Sequence, residues 1–422
     1  KIGGKVTFKE DLYKPEKTPE IVSKIFELKK GKTRCILCGR VFNKAVKKLQ
    51  QANYPFVTKI ASLSGVRSYR DGRVLSLKEY YDDLCPFCYL IGILEWTDEA
   101  IVYRTFPGNK SFLFLPYFAS LRKLNDFKKS CIYSGILTAT ARYSNIRVNP
   151  NINDVENTPG EYSTLLCFYE KFIENSAGDI IANEWTVLQV PFGAVKNIKV
   201  DSINVKKGII GVIQEIYDKG ENCNYIYKEI ISKIYFFSEN KNAIDWETTR
   251  EIQEDLSKFF LFDNFRNFTN SLLPRKGSYV FFSSEVRQAL EELIFVWRWR
   301  KMGIPREKLD AIKSVGNIIA LISEKRNPAL LYKLDKARNI DELWSVIREI
   351  SKRLTTMEER DLVDSEGKPR IKPTSIDELV LLVKEVEGKK ELWKEVRDLL
   401  VVYSSMYYTI EKMRKISKGG GS

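Results

Sequence analysis

The sequence predicts an α+β protein, with a zinc-bearing mixed N-terminal body followed by a C-terminal helical bundle. Three observations carry this expectation. Two cysteine pairs, Cys35-x2-Cys38 and Cys85-x2-Cys88, lie early in the chain. Strand-like apolar runs gather in the stretch after them, and from Pro305 onward apolar residues recur at helical spacing.

The cysteines come first because they organise the rest. Two intervening residues let both thiolates of a tight turn face one metal ion, and two such knuckles supply four sulfurs to a closed tetrahedral zinc site. Gly39 directly follows the first knuckle, where the chain must turn sharply, and Pro86 stiffens the second. The 46 residues between the pairs exceed the commoner spacing of about 15–20, so four unrelated cysteines is the competing reading. A redox CxxC is set aside, since no thioredoxin-like strand precedes either pair. Structural zinc on Cys35, Cys38, Cys85 and Cys88 is the expectation. Cys131 and Cys167 have apolar neighbours and read as core thiols, whereas Cys223, in Glu221-Asn222-Cys223-Asn224, reads as a surface thiol. An odd remainder argues against a disulfide framework and for the cytoplasm.

Composition narrows the function classes. At 422 residues, 44% hydrophobic and 29% charged, the chain is an ordinary globular protein with core enough for two or three domains. No apolar run reaches the length that spans a bilayer, and no secretory signal opens the sequence. There is no histidine, which removes Ser-His and Cys-His nucleophiles, HExxH peptidases and imidazole general bases. Charge is unevenly placed. Residues 1–150 carry 27 Lys and Arg against 13 Asp and Glu, while 151–305 and 306–422 together cancel. A basic segment of that size attracts polyanions, nucleic acid first. Abundant Lys and Glu with few Met match the composition of thermophile proteins.

In chain order, residues 1–150 form the basic zinc-containing module. It opens with a strand at Lys5–Phe8, then a helix through Ile21, Ile25 and Leu28. A basic helix from Val41 to Gln51 places Lys44, Lys47 and Lys48 near one face. Between Ser64 and Arg73, two glycines mark a turn that carries Arg67, Arg70, Arg73 and Tyr69. It reads equally as a phosphate or base reader and as a solvated basic hairpin. Strands follow at Ile101–Tyr103, Phe112–Leu115 and Ile132–Thr140, with Asn109 and Lys110 in a loop as further candidate contacts. The polar stretch 149–160 ends this module. Residues 151–304 form a mixed α+β module with a helix near Tyr162–Glu174, strands at Trp185–Val190 and Ile209–Ile213, and helices at Glu247–Phe260 and Glu285–Lys301. Residues 305–418 form the bundle. Asn339-x2-Glu342 and Ser375-x2-Glu378 read as capping boxes, and a last helix covers 390–415. Residues 419–422, Gly-Gly-Gly-Ser, have linker composition and stand outside the fold.

Three motifs fail as catalytic signals. Gly31-Lys32-Thr33 lacks the first glycine of a phosphate loop, because Phe26 stands in its place. Asp82-Asp83 reads as a solvated turn rather than a magnesium pair. Trp297-Arg298-Trp299-Arg300-Lys301 offers rings and guanidinium groups to nucleic acid, but the two tryptophans do not share a helix face. Core packing of at least one is favoured.

Taken together, the two knuckles, the run Val315-Gly316-Asn317-Ile318-Ile319-Ala320 and its continuation through Leu330-Leu331-Tyr332-Lys333-Leu334 resemble the large subunit of type I CRISPR effector complexes (Cascade), in its zinc-containing branch. Length and the order of modules agree. The resemblance implies a non-catalytic subunit beside the 5′ handle of a guide RNA. It would contact other effector subunits, recognise the protospacer-adjacent motif in target duplex DNA, assist R-loop formation and recruit the nuclease-helicase, with no membrane partner. The motif-reading residues of that family do not align here, so the cations named above rest on physics alone. The alternatives are a carboxylate-metal nuclease and another zinc-stabilised nucleic-acid-binding protein.

Overall fold

The computed structural model describes residues 31–35, 38–42, 69–70, 73–74, 85, 87, 102–106, 110–134, 137–139, 146–148, 158–175, 182–191, 199–326, 328–358, 362–363, 369 and 374–419. It is an α+β fold with small sheets in the N-terminal half and a helical C-terminal region. The chain divides into two compact units, residues 1–153 with 175–204, and residues 154–174 with 205–422. The expected strand at Lys5–Phe8, the helix through Ile21 and the basic helix beyond Phe42 lie outside the described residues. Val41 and Phe42 themselves are strand, not the start of that helix.

In the first unit, β1 (Thr33–Arg34) pairs antiparallel with β2 (Val41–Phe42), and β3 (Tyr69–Arg70) with β4 (Arg73–Val74). Its main body is an antiparallel sheet ordered β10-β9-β6-β5, made from β5 (Val102–Phe106), β6 (Lys110–Tyr117), β9 (Glu184–Pro191) and β10 (Val200–Asn204). The register sets Phe114 against Val187, Pro116 against Trp185 and Trp185 against Ile203, so alternate residues share one face. Phe114, Trp185, Val187 and Ile203 are buried on it. Helix α1 (Leu121–Ser134) sets Phe127 edge-on to Trp185, with ring centroids 6.2 Å apart. Burying side chains of this size contributes about 1.5–3 kcal/mol each. β7 (Leu137–Ala139) and β8 (Ile146–Val148) form a separate pair. The strand expected over Ile132–Thr140 is therefore split: Ile132 belongs to α1, and Leu137–Ala139 is strand.

The second unit is mainly helical. Helix α2 (Glu161–Asn175) is buried without interruption from Ser163 to Glu170. Around it come α3 (Lys207–Lys219), the short α4 (Ile226–Glu229), β11 (Tyr235–Ser238), β12 (Ala243–Ile244), α5 (Trp246–Leu261), α6 (Phe265–Ser271), β13 (Ser278–Phe281) and α7 (Ser284–Met302). Then follow α8 (Arg306–Arg326), α9 (Ala329–Lys336), α10 (Ile340–Leu354), α11 (Ser375–Val386) and α12 (Lys390–Gly419). The segment expected as a strand at Ile209–Ile213 is α3. Ile209, Val212, Ile213 and Ile216 all face the core at helical spacing, and that burial overrides β-branched propensity. Cys223 is buried, not a surface thiol, with its Sγ 3.9 Å from the Ala289 carbonyl oxygen. Asn339 caps α10 by accepting the Glu342 N–H at 2.8 Å. The second expected box does not form: Ser375 is buried inside the first turn, and Thr374, which precedes α11, makes no side-chain cap bond to the backbone but meets the Glu378 side chain at 3.1 Å.

Three glutamates of this unit spend their carboxylates on backbone N–H groups. Glu254 accepts from Tyr162 and Ser163 at the start of α2, at 2.6 and 3.2 Å, and a Cβ on Gly160 would strike its carboxyl group. Glu170 accepts from Ile226 and, at 3.1 Å, from Tyr227 at the start of α4. Glu292 accepts from Glu221 and Asn222 at 2.6 and 2.7 Å. Among the described residues, no helix is long and apolar enough to cross a membrane.

Candidate metal centre

The metal centre grows from the turn that joins β1 to β2. Thr33 pairs with Phe42 and Arg34 with Val41, which closes the hairpin and delivers Cys35 to its neck. The Cys35 N–H donates to the Arg40 carbonyl at 2.8 Å, and the Gly39 N–H donates to the Cys35 carbonyl at 3.0 Å. Gly39 has φ 71°, the left-handed conformation in which a side chain costs about 1–2 kcal/mol. The glycine after the knuckle is thus a backbone requirement.

Cys85 comes from the second knuckle. Its N–H donates to the Cys35 Sγ at 3.3 Å, and its own Sγ lies 3.7 Å from the Cys38 Sγ. The three sulfurs of Cys35, Cys38 and Cys85 all lie within 4.8 Å of one another and could hold a metal ion. A sulfur pair 3.7 Å apart is far beyond disulfide length, about 2.05 Å, and Cys35, Cys38, Cys85, Cys167 and Cys223 are all free of disulfides. It matches the separation of about 3.8 Å between two thiolates at 2.3 Å from a tetrahedral ion. Cys88 lies outside the described residues, next to Phe87.

The floor of the centre is dry and its rim is cationic. Cys35, Cys85 and Phe42 are buried together, and Phe87 packs against them. The Arg40 guanidinium sits 5.2 Å above the Phe87 ring, so the first knuckle is clamped over the second by a cation–π contact. Lys32, Arg34 and Arg40 are exposed around it. Three thiolates on a divalent cation carry a net charge of −1, which such a rim offsets. The sequence pointed to the cysteines, but not to Arg40 or Phe87. Their only local signal is position, directly after Gly39 and inside the second knuckle.

The candidate nucleic-acid contacts separate. Lys44, Lys47, Lys48, Arg67 and Asn109 lie outside the described residues. Arg70 on β3 and Arg73 on β4 stand directly opposite each other. Lys110 opens β6, opposite Phe106 and Pro191, at one end of the four-stranded sheet. Asp82 and Asp83 also lie outside the described residues. Trp297 is core: its Nε1–H donates to Asp263 at 2.8 Å, and Phe260, Phe265 and Phe268 meet it edge-on. Arg298 is fully buried, 4.4 Å above the Phe265 ring, so it has no access to phosphate. Trp299 is exposed.

Compared with known proteins, the chain matches no family model, no curated protein and no solved structure.

Proposed function

We propose that this chain is a zinc-stabilised, non-catalytic nucleic-acid-binding protein that serves as the large subunit of a type I CRISPR surveillance complex. The observation that carries the reading is the thiolate cluster with its cationic rim, set in the one strongly basic segment of the sequence. Zinc suits the site because closed thiolate sets with near-tetrahedral sulfur spacing are the usual form of structural zinc, and Cys88 would be the fourth ligand. The ion would act as a pin for the backbone and would leave no open coordination position for chemistry. Arg70 and Arg73, at paired positions of the β3–β4 hairpin, would add positive charge for a phosphate backbone, while Lys32, Arg34 and Arg40 would draw the polyanion to the knuckle. The non-catalytic reading is supported by the use of Glu170, Glu254 and Glu292 as acceptors for backbone N–H groups rather than as free acids. In the complex, this subunit would sit at the guide RNA 5′ handle, test incoming duplex for its adjacent motif, help open the R-loop and dock the nuclease-helicase. Its compartment would be the cytoplasm.

The test is to purify a tagged copy from its native cells and sequence the RNA that accompanies it. Short RNAs of uniform length sharing one 5′ end support the reading. Absence of RNA, or a broad mixture of cellular RNA, rejects the surveillance-complex assignment.

A further inference from the structure

We infer that the exposed end of helix α7 is a stacking ledge for single-stranded nucleic acid, with Trp299 as the platform for a base and Arg306, held over the neighbouring Phe295 ring, as the contact for a phosphate further along the strand. The inference rests on the nucleic-acid-binding reading above but concerns a different part of the chain, the second unit rather than the basic segment.

Trp299 is 48% exposed, an unusual state for a ring that gains so much from burial. Its neighbours explain how it is held. Phe295, one turn earlier on α7, stacks on it with ring centroids 6.3 Å apart and planes 27° apart. The turn after α7 then folds back: Gly303, at φ 63°, donates its N–H to the Trp299 carbonyl at 2.9 Å. That reversal brings Arg306, the first residue of α8, to 4.8 Å from the Phe295 centroid. Trp299 and Arg306 therefore both contact Phe295, and a base laid on the open area of Trp299 would extend the ring stack. Phe295 and Arg306 also line a cleft of about 400 Å³ whose other charged residues are Lys313, Glu291, Glu292 and Asp310, so the strand is expected to follow the exposed rings rather than enter it.

The charges around the ring select the ligand. Arg300 bonds Glu215, and Lys301 bonds Asp263 at 2.9 Å, so both cations are fixed beside the ledge, with side chains 43% and 41% exposed. Arg306 is exposed, and among the described residues no carboxylate lies within ion-pair distance of it. A ring flanked by cations suits a base with its phosphate. Among the described residues, the other exposed tryptophan makes the contrast. Trp246 is 57% exposed but meets Tyr235 edge-on, at 82°, and sits in sequence between Asp245 and Glu247, where a phosphate would be repelled.

The experiment measures binding of the full chain to a fluorescein-labelled oligothymidylate and to a duplex, by fluorescence anisotropy at low salt. Trp299→Ala is expected to weaken oligothymidylate binding about fivefold or more, the size of one lost base–ring stack, and to leave duplex binding within about twofold. Trp299→Leu, which keeps apolar bulk without a π face, should lose as much, and Trp299→Phe should restore most of it. Matching thermal melts establish that the variants fold. If wild type binds oligothymidylate and Trp299→Ala or Trp299→Leu binds it equally well, the ledge is overturned while the nucleic-acid reading stands. Duplex binding with no single-strand binding likewise overturns the ledge alone. A wild-type chain that binds neither overturns both.

Discussion

At the residue scale, the metal centre depends on Cys85 more than on any other described side chain. It is fully buried, gives one sulfur to the cluster and braces a second through its N–H···Sγ bond to Cys35. Cys85→Ser should therefore release the metal, with a loss on the order of 10 kcal/mol to the module that the ion folds. Elemental analysis of the purified variant checks this, and an unchanged metal content would contradict the site. A second residue carries a pH signature. Burial holds the Glu170 carboxyl up at about 8, against the backbone N–H groups that favour its anion; Glu229 adds to the rise and Lys171 opposes it. Below about pH 4, folded and unfolded chains both hold the proton, so Glu170 adds no pH dependence. Between there and about pH 8 the unfolded chain releases it first, so stability falls as pH rises. Glu170→Gln keeps an oxygen for the Ile226 and Tyr227 N–H groups and should flatten that decline. Melting curves of both proteins across this range would show it, and parallel curves would refute it. The cysteines of the centre were legible because metal chemistry fixes residue type and local spacing together. Arg40 and Phe87 were not, since a cation–π clamp across some 50 residues leaves no spacing to read.

At the scale of elements, helix α8 packs closely against α12 at Gly316. A Cβ on Gly316 would stand 2.7 Å from the Tyr403 Cβ and 3.1 Å from the Ser404 N, both on a helix buried from Asp398 to Met406. Ser404 and Ser405 help by being small and by turning their hydroxyls back to the Leu400 and Val401 carbonyls. Gly316→Ala should cost about 1–3 kcal/mol through overpacking, despite the better helix propensity of alanine. Urea denaturation measures it, and a stabilised variant would show that the two helices have room to separate. Helices with a clear apolar stripe, such as α10 and α11, could be read from their sequences because one face alone is buried. Helix α3 could not, because Ile209 and Ile210, Val212 and Ile213 place β-branched residues side by side and mimic a strand until packing settles the period. Ser375 misled for a related reason: its spacing to Glu378 fits a cap, but the chain is already helical at Ser375 and buries it in the first turn.

At the scale of the whole molecule, the division into two units predicts two responses to metal removal. A chelator should disrupt the unit that holds Cys35, Cys38 and Cys85 and leave the helical signal of the other largely intact. Calorimetry with far-ultraviolet circular dichroism can separate these responses, and a chelator that abolished all helix would show one cooperative body instead. The division also has a history in time. Helix α2 belongs to the second unit, yet it precedes strands β9 and β10 of the first. During synthesis α2 leaves the ribosome well ahead of its cap, since Glu254 lies 92 residues beyond Tyr162. At about 5–20 residues per second, that is an interval of about 5–20 s. During it the apolar run from Leu165 to Phe172, buried in the finished fold, stands in a helix whose first N–H groups still lack the Glu254 carboxylate, while the sheet of the first unit waits for its last two strands. A holdase acting on the nascent chain would find its target there.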